Sequence, residues 1–142
     1  MNKRQILLVS APNGEDTYWA EMMSKEILNE INISNKSPFV ILGSSEIQTM
    51  KLAENLTLSK ESPDFRVQLD SEFNKSNREF DTDIIVERMV DENDSNLLIV
   101  MNQNFIEDLL LRLSSDKNSP IRKDYDLSLI EYKPVSSARR VA

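Results

Sequence analysis

Asn-Leu-Leu-Ile-Val-Met, at residues 96–101, is the clearest signal of a buried strand in the chain and decides the fold. A short, continuous apolar run bounded by polar residues is typical of a strand covered on both faces. Ile-Leu-Leu-Val at residues 6–9 and Phe-Val-Ile-Leu at residues 39–42 predict two further strands of this kind. Such strands occur mainly in parallel sheets, because crossover helices cover both faces of the sheet.

The stretches that follow the first two strands show helical spacing. In the first stretch, apolar residues recur every three or four positions up to about residue 32: Trp19, Met23, Ile27 and Ile31. In the second, the predicted apolar side of the helix consists of Ile47, Met50, Ala53 and Leu56. Ser45 and Gln48 form the Ser-x-x-Gln pattern of a capping box, which predicts that this helix begins after Ser45.

The second half of the chain continues the alternation of strands and helices. It predicts a strand at residues 66–69, an irregular connection at 71–80, a helix capped by Asp81 or Thr82, a helix around 105–113 and a strand at 127–132. This order predicts a single α/β domain over residues 1–132, with three layers and a mainly parallel sheet between helices on both faces. Residues 133–142 are predicted to form a mobile tail.

Composition excludes several kinds of chemistry. The 142 residues include no cysteine, no histidine and only two glycines. Disulfides, thiolate metal sites, thiol nucleophiles and histidine bases are therefore absent. Two glycines are too few for a Walker loop or a dinucleotide-binding fingerprint. The sequence predicts no metal site and no cofactor.

The charge balance is acidic, with 24 acidic and 17 basic residues and a net charge of −7. Such a domain is a poor binder of nucleic acid or of anionic membranes, because both need a net attraction to phosphate. The basic pairs Lys3–Arg4 and Arg139–Arg140 lie near the termini, where solvated tails are the simpler interpretation. No apolar stretch is long enough for a signal peptide or a membrane span, so a cytoplasmic location is expected.

Ligands of open α/β sheets bind beyond the carboxyl ends of the strands. The side chains predicted there are neutral and polar: Ser10, Asn13, Ser44, Ser45, Gln48, Asn102 and Gln103. Helix N-termini at the same positions offer free backbone N–H groups to an anion. Serine, asparagine and glutamine are also common in caps and turns, so a ligand pocket and a structural role both stay open.

At these positions the chain resembles the histidine phosphatase superfamily, which has the phosphoglycerate mutase-like fold, and most closely its small phosphohistidine-phosphatase branch. That family opens with an apolar strand ending in Arg-His-Gly, where this chain has Ser10-Ala11-Pro12. Its second strand leads into Ser-Pro-x-x-Arg-Ala-x-Gln-Thr-Ala-Glu, and residues 44–54 follow that spacing. Its later Asn-x-Leu-x-Val-Gly-His-x-Pro motif matches residues 96–104.

The resemblance implies a phosphate pocket of two arginines and two histidines, one histidine being the nucleophile. At the matching positions this chain has Ser10, Ala11, Gln48 and Asn102, and an alternative register places Ser45 at the arginine position. The pocket is therefore predicted to be degenerate, with no catalytic residue. Its candidate residues are Ser10, Ala11, Ser44, Ser45, Gln48 and Asn102.

Three functions stay open on this sequence. The first is a catalytically inactive phosphatase-like domain that binds another protein as a scaffold or regulator. The second is a sensor that holds a small polar or anionic ligand in the degenerate pocket. The third is an enzyme with altered chemistry, for example Ser44 or Ser45 paired with Lys51.

Two further features have simpler interpretations: residues 91–94 as a solvated turn rather than a calcium loop, and Trp19 as a core residue.

Overall fold

A computed structural model describes residues 4–12, 18–31, 38–59, 64–115 and 125–131. Within these residues, five strands and four helices alternate: β1 (Arg4–Ala11), α1 (Trp19–Glu30), β2 (Phe39–Ser44), α2 (Ile47–Leu58), β3 (Phe65–Asp70), α3 (Thr82–Asp91), β4 (Asn96–Asn102), α4 (Gln103–Ser115) and β5 (Tyr125–Ile130). A 3-10 turn at Ser71–Phe73 follows β3. The tail predicted at 133–142 lies outside the described residues.

The five strands form one sheet in the order β3-β2-β4-β1-β5, and every pairing in it is parallel. The apolar runs of β1 and β4 lie side by side at the centre, with Leu8 opposite Ile99. All seven residues of β4 are buried. The parallel sheet predicted from these runs is therefore confirmed.

Helices cover both faces of the sheet. Leu7 and Val9 of β1 pack into one cluster with α1 and α2, whereas Ile6 and Leu8 pack into a second cluster with α3 and α4. Each fully buried leucine or isoleucine stabilises the fold by about 2 kcal/mol relative to an exposed one. The predicted three-layer architecture is confirmed, and Trp19 is a core residue of the first cluster.

Aromatic packing orders part of the connection between β3 and α3. The ring of Phe80 stacks on that of Phe105 with centroids 3.9 Å apart, and Phe73 meets Phe80 edge-on at 6.3 Å. Phe73 is fully buried in the α3–α4 layer. The connection therefore packs against α4 at the start of that helix.

The predicted apolar side of α2 is partly wrong. Ile47 and Met50 are 59% and 52% exposed, while Gln48 and Thr49 are buried with Leu52, Ala53 and Leu56. Thr49 can be buried because its hydroxyl forms a hydrogen bond of 2.7 Å with the hydroxyl of Ser44, which satisfies both hydroxyl groups. Hydrogen bonding, rather than apolar spacing alone, sets the rotation of the helix.

The interpretation of Arg4 as part of a solvated tail is also wrong. Arg4 begins β1 and is buried, with its guanidinium donating to the backbone carbonyl of Asn93 and lying over the ring of Tyr125. A buried charge needs such partners to offset the loss of water. In the described part of the chain, no helix has the length and apolarity needed to cross a membrane.

Candidate functional site

The candidate site lies at the carboxyl end of β4, where the chain connections diverge, and the term crevice denotes this position. From β4 the chain enters α4 on one face, whereas its neighbours β1 and β2 lead into α1 and α2 on the opposite face. Ligands of open α/β sheets bind where connections diverge in this way. The predicted pocket residues on β1, β2 and β4 all lie at this end of the sheet.

Ser10 and Ala11 form the β1 side of the crevice. Ser10 is opposite Met101 in the parallel register, and Ala11 is opposite Asn102. Ser10 is half-buried, while Ala11 packs into the core beneath α1. The structure thus brings Ala11 and Asn102 together on neighbouring strands. Asn13 lies outside the described residues.

Ser44 ends β2 and is fully buried. Its hydroxyl forms a hydrogen bond of 2.7 Å with the hydroxyl of Thr49 in the first turn of α2. Gly43 leaves room for α2 and for β4, since a Cβ there would lie 3.1 Å from Thr49 Cγ2 and 2.5 Å from the backbone oxygen of Val100. The Ser44 hydroxyl therefore fixes the first turn of α2 against the end of β2.

Ser45 does not form the predicted capping box with Gln48. The N-cap of α2 is Glu46. Ser45 instead contacts Asn74: its backbone N–H donates to Asn74 Oδ1 at 2.7 Å, and Asn74 Nδ2 donates to its hydroxyl at 3.0 Å. The reason is geometric, since the β3–α3 connection lies within reach and offers Ser45 both a donor and an acceptor.

A second contact holds the same connection in place. The carboxylate of Glu46 accepts from the backbone N–H of Lys75 at 3.0 Å. Asn74 and Lys75 were not among the predicted site residues, because they lie 29 residues beyond their partners in a stretch without periodic pattern. An asparagine in such a polar connection is the only local signal that could have found the contact.

Asn102 ends β4 and is buried at the base of the crevice. Its Oδ1 accepts from the backbone N–H of Phe105 at 3.2 Å, as the N-cap side chain of a helix does. α4 begins at the next residue, Gln103, so the strand passes into the helix without a loop. Gln48, on the other side of the crevice, is buried in the first turn of α2.

The chemistry of this arrangement is neutral hydrogen bonding. None of the six predicted pocket residues carries a charge. Within the described residues, no group of three or more acidic, histidine or cysteine side chains could hold a metal ion. At the opposite end of the sheet, burial raises the pKa of Tyr125 and the nearby Arg4 partly lowers it.

Two alternative sites fit the structure poorly. Lys51 lines a groove between α1 and α2 together with Glu21 and Glu54, whereas the Ser44 hydroxyl is bonded to Thr49. In the acidic turn at 91–94, Glu92 accepts from Arg66 and Gln68, so its carboxylate is used within the fold.

A larger groove of about 550 Å³ is lined by α3 and α4 side chains such as Glu87 and Arg112, not by the predicted pocket residues.

Comparison with known proteins places the fold. No protein-family model matches the sequence, and no curated protein matches it. Among solved structures, the chain is similar to the crystal structure of phosphoglycerate mutase from Plasmodium falciparum, with 22% sequence identity and a TM-score of 0.59. The likeness covers 86% of this chain and 76% of that chain. At this identity it shows the fold alone, and the predicted α/β fold of the phosphoglycerate mutase type is confirmed.

Proposed function

We propose that this phosphoglycerate mutase-like domain has no phosphoryl-transfer activity and acts by binding another protein, as a scaffold or regulator. The observation that carries the proposal is the absence of histidine from the sequence. The family resemblance implies a histidine nucleophile, and without one the covalent step has no acceptor for the phosphoryl group. Each lost donor to the transferring group costs about 2.7–4 kcal/mol of transition-state stabilisation.

The hydrogen bonds of the crevice support this proposal. Asn102 caps α4, Ser44 bonds to Thr49, and Ser45 bonds to Asn74. These polar groups stabilise the helices and connections around the crevice. The resemblance to the small phosphohistidine-phosphatase branch belongs to the same proposal, with Ser10, Ala11, Gln48 and Asn102 as substituted pocket positions.

Exposed apolar side chains support binding of a protein. Tyr18 and Met22 are both exposed at the start of α1, four residues apart and therefore on one side of the helix. Since α1 connects β1 to the parallel strand β2, its N-terminus lies toward the carboxyl end of the sheet. Aromatic and methionine side chains are enriched at protein interfaces, where they contribute large contact areas.

One observation favours a sensor as the second candidate. The side chain of Glu46 makes no capping bond to α2, since its carboxylate accepts from Lys75 instead. The N-terminus of α2 therefore lacks a capping bond from the Glu46 side chain. A helix N-terminus favours an anion through the dipole of the helix and its backbone N–H groups.

The activity test uses the purified protein with an aryl phosphate and with phosphoglycerate as substrates. We expect phosphate release and phosphoryl transfer no faster in the wild type than in Ser10→Ala and Asn102→Ala. Ser115→Ala, an exposed site on α4, is the matched control. Turnover that falls in the two crevice variants but not in the control would overturn the proposal.

The binding test separates the two candidates. For the protein-binding role, a partner captured from cell extract and then purified should bind the wild type and Leu111→Lys but not Met22→Lys. For the sensor, phosphate or sulfate should raise the melting temperature, since a ligand at 100 times its Kd stabilises by about 2.7 kcal/mol. A shift that Gln48→Ala or Asn102→Ala removes, with no partner bound, would replace the first candidate by the second.

A further inference from the structure

The groove of about 550 Å³ runs beside α3 over most of the length of that helix, and we call it the α3 groove. Its volume is within the range of about 300–1,000 Å³ that is usual for binding pockets. The lining residues are Asp83, Val86, Glu87, Val90 and Asp91 of α3 and Arg112 of α4. This side of α3 is therefore a concave surface that a ligand can enter.

The lining residues of α3 form two parallel rows. Asp83, Glu87 and Asp91 recur every four residues, and so do Val86 and Val90. Residues four apart lie on one side of a helix, and the rise of the helix places successive carboxylates about 6 Å apart over about 12 Å in total. All three acidic side chains are exposed. An acidic row thus lies next to an apolar row along the groove.

The neighbouring arginines leave most of this negative charge unbalanced. Arg88, the basic residue of α3, donates to Asp70 on β3 at 2.9 Å and does not line the groove. Arg112 is paired with Asp83. Within the described part of the chain, no ion pair involves the other two carboxylates of the row. The middle and the end of the row therefore offer two charges to a cation.

The acidic character continues beyond the α3 groove. A second groove of about 430 Å³ adjoins it at the start of α3. The charged residues that line the second groove are Arg78, Glu79, Asp81 and Asp108. With three carboxylates from each groove, the two grooves together present six carboxylates and two guanidinium groups. Such a surface attracts cationic ligands and repels the phosphates of nucleic acids and anionic lipids.

The groove on the other face of the sheet lacks this charge pattern. It lies between α1 and α2, has a volume of about 270 Å³, and is lined by Lys51 together with Glu21 and Glu54. A lysine among two carboxylates leaves little net charge there. The complementarity to a cationic ligand is therefore a property of the α3 groove.

A basic amphipathic helix matches both rows of the α3 groove. Lysine or arginine residues that recur every four positions in a helix repeat about every 6 Å, as the carboxylates of α3 do. Apolar residues beside them then cover Val86 and Val90. Insertion of an amphipathic helix into a groove is a common mode of recognition between proteins.

We propose that the α3 groove binds a basic amphipathic helix of a partner protein, with lysine or arginine side chains of the partner paired to Glu87 and Asp91. The groove lies in the α3–α4 layer, so the proposal rests neither on the crevice nor on the function proposed for it. It assigns a second binding surface and the chemistry of the partner.

The test is fluorescence anisotropy of a labelled synthetic helix of alanine, leucine and lysine, with lysine every four residues and leucine beside each lysine. We expect the wild type to bind it and salt to weaken the binding, because ions screen exposed charges. Glu87→Lys reverses the central charge of the row and should raise the Kd by about tenfold or more, equal to about 1.4 kcal/mol. Lysine is a good helix former, so α3 should keep its structure, which circular dichroism checks.

Glu26→Lys is the matched control. Glu26 is exposed on α1, which covers the other face of the sheet, and the substitution changes the net charge by the same amount. It should leave the Kd unchanged. Equal losses in the two variants would mean that net charge alone attracts the peptide, and this result, or a wild type that does not bind, would contradict the proposal.

Amide chemical shifts of the full chain locate the bound peptide. They should change along α3 from Asp83 to Asp91 and near Arg112, and a peptide with glutamate in place of lysine should change none of them. Changes confined to α1 and α2 would overturn the proposal. Peptide binding that strengthens about tenfold or more when Arg139 and Arg140 are replaced by alanine would also overturn it, because the occupant of the groove would then be a basic segment of the chain itself.

Discussion

Asn96 and Asn102 stand at the two ends of β4, and both side chains are buried. Asn96 Oδ1 accepts from the backbone N–H of Gln5 at 2.7 Å, across 91 residues of sequence. Asn102 Oδ1 accepts from Phe105, only three residues away. The sequence pointed to Asn102 as a site residue and gave Asn96 no role, yet each side chain satisfies a backbone group. A buried asparagine at a strand end is therefore explained by its partner before any ligand is needed.

The two asparagines bond to partners at different sequence separations because the two ends of β4 connect to different elements. The parallel register of β1 and β4 starts at Ile6 opposite Leu97, so Asn96 provides an acceptor one position before the ladder begins. At the carboxyl end, α4 follows β4 directly, and Asn102 satisfies an N–H group of its first turn. One asparagine stabilises the contact of two distant strands, and the other stabilises one helix.

The largest effect is expected for Asn96→Ala. The substitution removes the acceptor of the part-buried Gln5 N–H, and an unsatisfied buried group costs about 1–3 kcal/mol. We expect the free energy of unfolding in urea to fall by about 2 kcal/mol, in the middle of that range.

Asn55→Ala is the matched control for this measurement. Asn55 is exposed on α2 and donates to the carbonyl of Lys51 in its own helix. A surface substitution of this kind changes stability by no more than about 0.5 kcal/mol. Equal losses in the two variants would contradict a structural role for the amino end of β4.

A smaller effect is expected at the carboxyl end, for Asn102→Ala. Loss of an N-cap side chain costs about 1 kcal/mol, because one N–H of the first helical turn loses its acceptor. Asn102→Asp keeps the acceptor and adds a negative charge at the positive end of the helix, so it should restore most of the loss. Urea unfolding of the three proteins measures this. If Asn102→Asp is as unstable as Asn102→Ala, the cap is not what the side chain provides.

The central strands and their helices could be predicted because each is decided by local pattern. Residues 97–101 and 6–9 are apolar throughout, which is typical of strands that helices cover on both faces, and the structure places them at the centre of the sheet. Asp81 was a predicted cap, and it accepts from the N–H of Asp83 at 3.0 Å. These interactions act within a few residues, so the sequence displays them directly.

The contacts around the crevice and at the amino end could not be predicted in the same way. Asn74 meets Ser45 across 29 residues, and Arg4 meets Asn93 across 89. Their partners are selected by the packing of separate elements, which leaves no periodic trace in the sequence. For the same reason, the sequence placed Ser45 in a local capping box when its hydrogen bonds are in fact with a distant connection.

The smallest effect concerns Tyr125, which lies opposite Arg4 at the amino end of the sheet. Burial raises the pKa of Tyr125 above its ordinary value of 10.0, and the charge of Arg4 partly opposes that rise. The folded chain therefore holds this proton more tightly than the unfolded chain. The resulting stability is fully present below about pH 10, the unfolded pKa, and is lost as the pH rises through the folded pKa.

Tyr125→Phe removes the titrating hydroxyl and should flatten the fall of stability in this alkaline range. The urea midpoint, followed from pH 8 to beyond about pH 10, should decline less steeply in Tyr125→Phe than in the wild type. Tyr18→Phe, at the exposed N-cap of α1, is the matched control for removal of a tyrosine hydroxyl. Because Asn102 and its neighbours in the sequence carry no titrating group, Asn102→Ala should lower the urea midpoint by about the same amount at every pH. An unchanged slope in Tyr125→Phe would mean that burial at the amino end does not act on this hydroxyl, and the contrast between the two ends would then rest on hydrogen bonds alone.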